Sequence, residues 1–142
     1  MDTIAIRLHP GQDLKQELDQ WVELHRIEAA CILTCVGSLT TAVLRFANQG
    51  NSRTLEGHFE IVSLTGVMSR HGSHYHIGIA DGEGASYGAH LLDGCIVYTT
   101  AEIVIGIIPN NLFLRTFDPQ TGYPELEIVT PTSKRSVNHE PE

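Results

Sequence analysis

The spacing of apolar residues outlines the elements of this chain. Residues 3–8 (Thr-Ile-Ala-Ile-Arg-Leu) alternate weakly and predict a first strand. Pro10-Gly11 breaks it, and Asp13, with Gln16 three residues later, is placed to cap a helix. Leu14, Leu18, Trp21 and Leu24 then recur at helical spacing, so residues 13–26 read as one amphipathic helix. Beyond it the period shortens. An apolar run covers 29–37, Gly37-Ser38 punctuates, and a second run covers 40–47. Residues 48–52 form a loop, and strands follow at 58–69, 74–80 and 86–92. The stretch Cys95–Ile108, rich in β-branched residues, reads as one bent strand or as two elements. Pro109-Asn110-Asn111 ends it, 112–117 adds a short strand, and 118–122 is a turn. Periodicity is lost from Pro131, which predicts a domain over 1–130 and a flexible tail over 131–142. One early helix followed by many strands predicts the α+β branch of the mixed α/β class, with a mainly antiparallel sheet and flanking helical cover.

Composition narrows the partners. Charged residues are 18% of the 142, below the roughly 25% typical of soluble chains, which suggests that part of the surface is covered by another copy or a partner. Nine Lys and Arg against seventeen Asp and Glu give a net charge of −8, which argues against duplex DNA as the default ligand. No apolar run approaches the ~20 residues that cross a bilayer. Met1-Asp2-Thr3-Ile4 has neither the basic nor the apolar region of a secretory signal, so a cytoplasmic protein is expected. Cys31, Cys35 and Cys95 lie in apolar runs and read as reduced, buried thiols. Strand spacing would put Cys31 and Cys35 on one face, a weak metal motif without further thiolates.

The histidines carry the chemistry. Side chains alternate along a strand, so His74 and His76 share a face while Tyr75, Ile77 and Ile79 take the other. Asp81-Gly82-Glu83-Gly84 is turn chemistry and predicts a hairpin between 74–80 and 86–92. If Ala80 opposes Ser86, His76 opposes His90; one pair away, His74 opposes His90. Both registers put His90 on the face of the other two. Directly opposed side chains have Cβ atoms about 4.5–5.5 Å apart, within reach of a shared ion. Three imidazoles suit zinc or another divalent metal and leave a fourth position open. His71 reads as an exposed loop residue, whereas His58 and Glu60 are candidates for supporting contacts. A cupin would also begin His-x-His, but its glutamate would fall at Ala80 or Asp81, inside the turn.

Around these residues the sequence resembles the plants-and-prokaryotes-conserved (PPC) domain family, whose bacterial members carry a DNA-binding label. The pieces run in order over about residues 4–130: Leu8-His9-Pro10-Gly11-Gln12-Asp13-Leu14, Val36-Gly37-Ser38-Leu39, Leu44-Arg45, residues 55–66 from Leu55 to Gly66, His74-Tyr75-His76, Gly88-Ala89-His90-Leu91 and Thr100-Ala101-Glu102. The resemblance implies a mainly antiparallel α/β domain assembled as a homotrimer, with a metal on His74, His76 and His90 in some prokaryotic members. It further implies that the segment around Gly57, Phe59, Glu60 and Ile61 contacts partner proteins, as in plant members. This sequence lacks the Arg-Gly-Arg-Pro hook of the plant proteins, and the usual glycine pair before the third histidine reads Gly88-Ala89.

Two functions follow as expectations. One is a trimeric domain with an open zinc site that acts on or senses a small polar ligand, for which Glu56, Glu60 and Glu102 are candidate acids or bases. The other is a DNA-binding or transcription-associated interaction module without metal chemistry, with Arg45, Arg53 and Arg70 as its sparse basic residues. Arg45, following Val43-Leu44 on a strand, is also a candidate interface or ligand residue.

Overall fold

The computed structural model describes residues 1–131; the expected tail beyond Pro131 lies outside the described residues. The elements run β1 (Asp2–Leu8), α1 (Leu14–Leu24), β2 (Ala30–Arg45), β3 (Arg53–Ser69), β4 (Gly72–Ala80), β5 (Ser86–Leu91), β6 (Ile96–Ile107), β7 (Leu112–Asp118) and β8 (Tyr123–Val129). Six strands form one sheet in the order β1-β6-β2-β3-β4-β5, while β7 and β8 make a separate two-stranded ribbon. Every pairing is antiparallel. The α+β class, with one helix among the described residues, is as the apolar pattern predicts.

Helix α1 starts where its cap allows. The Asp13 carboxylate accepts from the N–H groups of Lys15 and Gln16 at 3.1 Å each, and its second oxygen accepts from Gly94 N–H at 2.6 Å. The helix ends at Leu24, two residues short of expectation, because Arg26 turns to φ +51°. Leu14, Leu18 and Val22 are buried against one face of the sheet, together with Leu39, Leu44, Tyr75, Ile77, Ile79, Leu91, Ile103 and Ile105.

Strand β2 organises the rest. The break expected at Gly37-Ser38 does not occur, because Gly37 is where β2 crosses β6 at close range: a Cβ there would collide with the Thr100 carbonyl oxygen. Near its end β2 leaves β6 and pairs with β5 through Leu44↔Leu91 and Arg45↔His90. Strands β2, β3, β4 and β5 thereby close a ring with apolar side chains inside.

Three further features differ from expectation, and one open alternative is settled. Strand β3 begins at Arg53, since Leu55↔Ala42 and Thr54↔Val43 extend its ladder along β2. The run from Cys95 is a single strand, β6, bent by register shifts against β2. Strand β8 occupies a stretch that the apolar pattern leaves unassigned; its Pro124 is tolerated in a ribbon of only two strands, opposite Phe117. Finally, Cys31 and Cys35 do not share a face. The register shifts between Ile32 and Thr34, so Cys35 joins the core with Ile32 while Cys31 stays half-buried outside it. All three thiols are free, and burial pushes Cys35 up to about 12 and Cys95 up to about 11.

Candidate metal centre

The β4–β5 hairpin keeps its register without a shift from His76↔His90 through Gly78↔Gly88 to Ala80↔Ser86. Tyr75, Ile77 and Ile79, between 0% and 2% exposed, point into the ring and lock the hairpin's orientation. Tyr75 adds hydrogen bonds from its hydroxyl to Asp19 on α1 and to the Met68 sulfur. His74, His76 and His90 consequently project from the outer, helix-free face. The first of the two registers read from the turn is the one adopted.

The three rings converge. Their centroids lie 4.9 Å (His74–His76), 5.0 Å (His74–His90) and 5.6 Å (His76–His90) apart, and one nitrogen from each falls within 4.8 Å of the others. The Nε2 atoms of His74 and His76 are 3.2 Å apart. Ligands at about 2.0–2.1 Å around a tetrahedral ion would have nitrogens about 3.3 Å apart, so this pair already has ligand spacing. The protonation states suit the same role. Desolvation first, then the charges of Arg45, His74 and His76, push His90 down to about 4. His74 is also lowered, by desolvation and then by His76, Arg115 and Arg45, against an opposing pull from Glu125. Near neutral pH both rings offer lone pairs, so the donor set fits a divalent ion.

Two cavities flank the trio. One, of about 490 Å³, lies between the histidines and the β7–β8 ribbon and is lined by Arg45, Ser73, His74, His90, Arg115, Tyr123, Pro124 and Glu125. The other, of about 400 Å³, runs from His76 and His90 to the β2–β3 loop. Arg45 borders both, directly across the ladder from His90.

The other sequence candidates lie elsewhere. Glu56 accepts from the Thr41 hydroxyl at 3.0 Å, Glu102 lies beside Thr100 on β6, and Glu60 pairs with Ser38 and Ala80 in the ladders. None of the three lines either cavity beside the trio. The carboxylate that does is Glu125, which accepts from the Thr121 hydroxyl at 2.9 Å. Glu125 and Arg115 carried no signal in the sequence, since their placement depends on how the ribbon docks. His71 contacts Glu28 at 3.0 Å and His58 packs on Tyr98, so neither belongs to the trio. In the 57–61 segment, Phe59 and Ile61 are buried, whereas Gly57 and Glu60 are exposed. Arg70 pairs with Glu28 at 3.6 Å and Arg53 lies over the Phe46 ring, at opposite ends of β3.

Sheet order, helix position and histidine hairpin together define a family. Residues 1–109 match the Plants and Prokaryotes Conserved (PCC) domain, and the chain belongs to that family. Among curated proteins it is similar to the bifunctional protein GlmU of Synechococcus sp. strain JA-2-3B'a(2-13), 46% identical over 87% of this chain. The chain spans about a fifth of that relative's length (20%). Among solved structures, a hypothetical protein from Salmonella cholerae-suis (aka Salmonella enterica) superposes with a TM-score of 0.89 at 39% identity, covering 92% of this chain and 94% of that one. A metal-containing protein from Archaeoglobus fulgidus superposes with a TM-score of 0.78 at 27% identity, covering 89% and 94%. The β7–β8 ribbon lies beyond the residues matched to the family.

Proposed function

We propose that this protein holds one divalent cation, zinc in the first instance, on His74, His76 and His90, and presents it to a small polar ligand. The observation that carries this reading is the convergence of three imidazole nitrogens within 4.8 Å on one face of an unshifted hairpin. The description of the Archaeoglobus relative as metal-containing supports it. When bound, zinc supplies a Lewis acid. The chain's own residues do the rest. His74 and His90 are kept neutral by desolvation and by the neighbouring guanidiniums, so they accept the ion without first losing protons. Glu125, held by Thr121, is the carboxylate available for a proton from a ligand in the larger cavity.

Assembly belongs to the same proposal. Leu33, Val36, Val62 and Tyr98 are exposed on the helix-free face, Val36 at 59% and Val62 at 58%. Apolar exposure of this kind, with few charges, fits a buried contact between copies, and a homotrimer is the assembly we assign. Gly57 and Glu60 border a separate surface for regulatory partners, shaped from beneath by Phe59 and Ile61. Three reduced thiols accord with a cytoplasmic setting.

Metal analysis of tag-free protein purified without added zinc tests the central claim. About one equivalent per chain, lost in His76→Ala, is expected. Metal-free protein with tight, salt-sensitive DNA binding would replace this reading with the DNA-binding alternative. Sedimentation equilibrium tests the assembly, with three times the 15.6 kDa chain mass expected.

A further inference from the structure

We infer that the cleft between the β4–β5 hairpin and the β7–β8 ribbon is a binding site for a small carboxylate, gripped by Arg45 and Arg115 beside the histidine trio. The inference deepens the metal-site reading and rests on it for the ligand's second anchor. Three observations lead to it. First, Arg45 and Arg115 line the same cavity of about 490 Å³, together with His74 and His90. Second, neither guanidinium has a carboxylate partner within salt-bridge distance among the described residues, whereas Lys15 and Arg70 do. Third, an Arg115 terminal nitrogen (Nη2) is buried with no hydrogen-bond partner, the single such side-chain atom among the described residues. A buried, unsatisfied donor costs about 1–3 kcal/mol and more when charged, so a small side-chain movement that turns Nη2 from its closed position to an oxyanion in the cleft is favoured.

The placement of both arginines is built into the fold. Arg45 is fixed by closure of the strand ring, which sets it opposite His90. Arg115 reaches the cavity across Gly72, where even a Cβ would come within 2.9 Å of the arginine Cγ. Ser69 anchors the start of the ribbon through a 2.7 Å hydrogen bond to the Phe113 carbonyl.

The class of anion follows from the remaining lining. Glu125 offsets one of the two arginine charges, and the flat guanidinium forks match the plane of a carboxylate. Tyr123 and Pro124 supply an apolar wall for the body of such a ligand. Bidentate guanidinium–carboxylate pairing needs the planar donors that both arginines provide.

Titration calorimetry on the full chain, with zinc loaded and after chelation, tests this using benzoate, uncharged benzamide and inorganic phosphate as probes. Saturable benzoate binding is expected, at least tenfold weaker in both Arg115→Gln and Arg45→Gln, with the zinc content of both variants unchanged. Circular dichroism confirms that the variants fold, and Arg115→Lys, which keeps charge but loses the planar fork, is expected to recover only part of the affinity. Benzamide binding as tightly as benzoate, phosphate outcompeting benzoate, or benzoate binding untouched by both substitutions would each overturn the inference. The two readings fail separately. A zinc-loaded protein that ignores benzoate sinks the carboxylate site alone, whereas arginine-dependent benzoate binding by a protein that holds no zinc sustains it and sinks the metal site.

Discussion

Strand β2 and the β4–β5 hairpin are built from similar apolar alternation, yet they treat it differently. The hairpin holds five successive pairs in register, from His76↔His90 to Ala80↔Ser86, and all its odd-numbered β4 residues from Tyr75 to Ile79 face the core. Strand β2 shifts register against β6 three times and changes which face its residues occupy as it goes. The difference is one of environment. A short turn joins β4 to β5, and local geometry sets their pairing. Strand β2 must satisfy β6, β3 and β5 in turn, which one straight ladder does not allow. An even residue spacing therefore means a shared face in the hairpin but not between Cys31 and Cys35.

The contrast is broken most severely by giving the hairpin an irregularity of the kind β2 has. Inserting one alanine between Gly88 and Ala89 should turn His90 to the opposite face. Metal content should then fall from about one equivalent per chain to below about a tenth, since the trio loses a ligand. Plasma emission spectrometry reads this, and retention of one equivalent would mean that His90 is dispensable.

Glycine contacts test why the hairpin stays flat. A Cβ at Gly66 would lie 2.5 Å from the His74 carbonyl oxygen and from the Tyr75 ring, whereas the one atom near a Cβ at Gly88 is 4.0 Å away. Gly66→Ala should cost about 1–3 kcal/mol in urea unfolding. Gly88→Ala should stay within about 0.5 kcal/mol. Equal effects would remove close β3–β4 packing as the reason for the regular register.

The cysteines test the β2 shift. Cys35→Ser places a hydroxyl in the core and should lower stability by about 1–3 kcal/mol. Cys31→Ser, outside the core, should change it by less than about 0.5 kcal/mol. The reverse ranking would contradict the phase change at Leu33.

The smallest effect concerns pH in the metal-free protein. His90 ionises at about 4 when folded, against 6.5 for an ordinary histidine. Between those values the unfolded chain binds the extra proton, so His90 favours folding above pH 6.5 and this contribution is lost as pH falls towards 4. The urea midpoint should consequently drop less on acidification in His90→Gln than in the parent. His90 is half-buried and partly screened by solvent, so the difference is small.

The helix was legible because Asp13 and the Leu14, Leu18 repeat are local signals, and α1 obeys them. His74, His76 and His90 were legible together because the five-residue connection Asp81–Ala85, odd in number, keeps even-numbered residues opposite even-numbered ones across the hairpin. Strand β8 was not legible, since it exists only through pairing with β7, and Pro124 fits only a strand with a free edge. The place of Glu56, Glu60 and Glu102 was not legible, because residue type does not reveal which part of a bent strand faces the trio; none of them lines a cavity beside it.

Residue order alone decided the cap, the alternation and the turn, and with them the shared face of the three histidines, because each involves neighbours a few residues apart. Tertiary structure alone decided that Arg45 lies across from His90, that β2 changes phase at Leu33, and that Arg115 and Glu125 reach the histidines from a ribbon that follows β6 in the chain. Those contacts depend on ring closure and docking, whose energies come from packing summed over the whole core rather than from any local pattern.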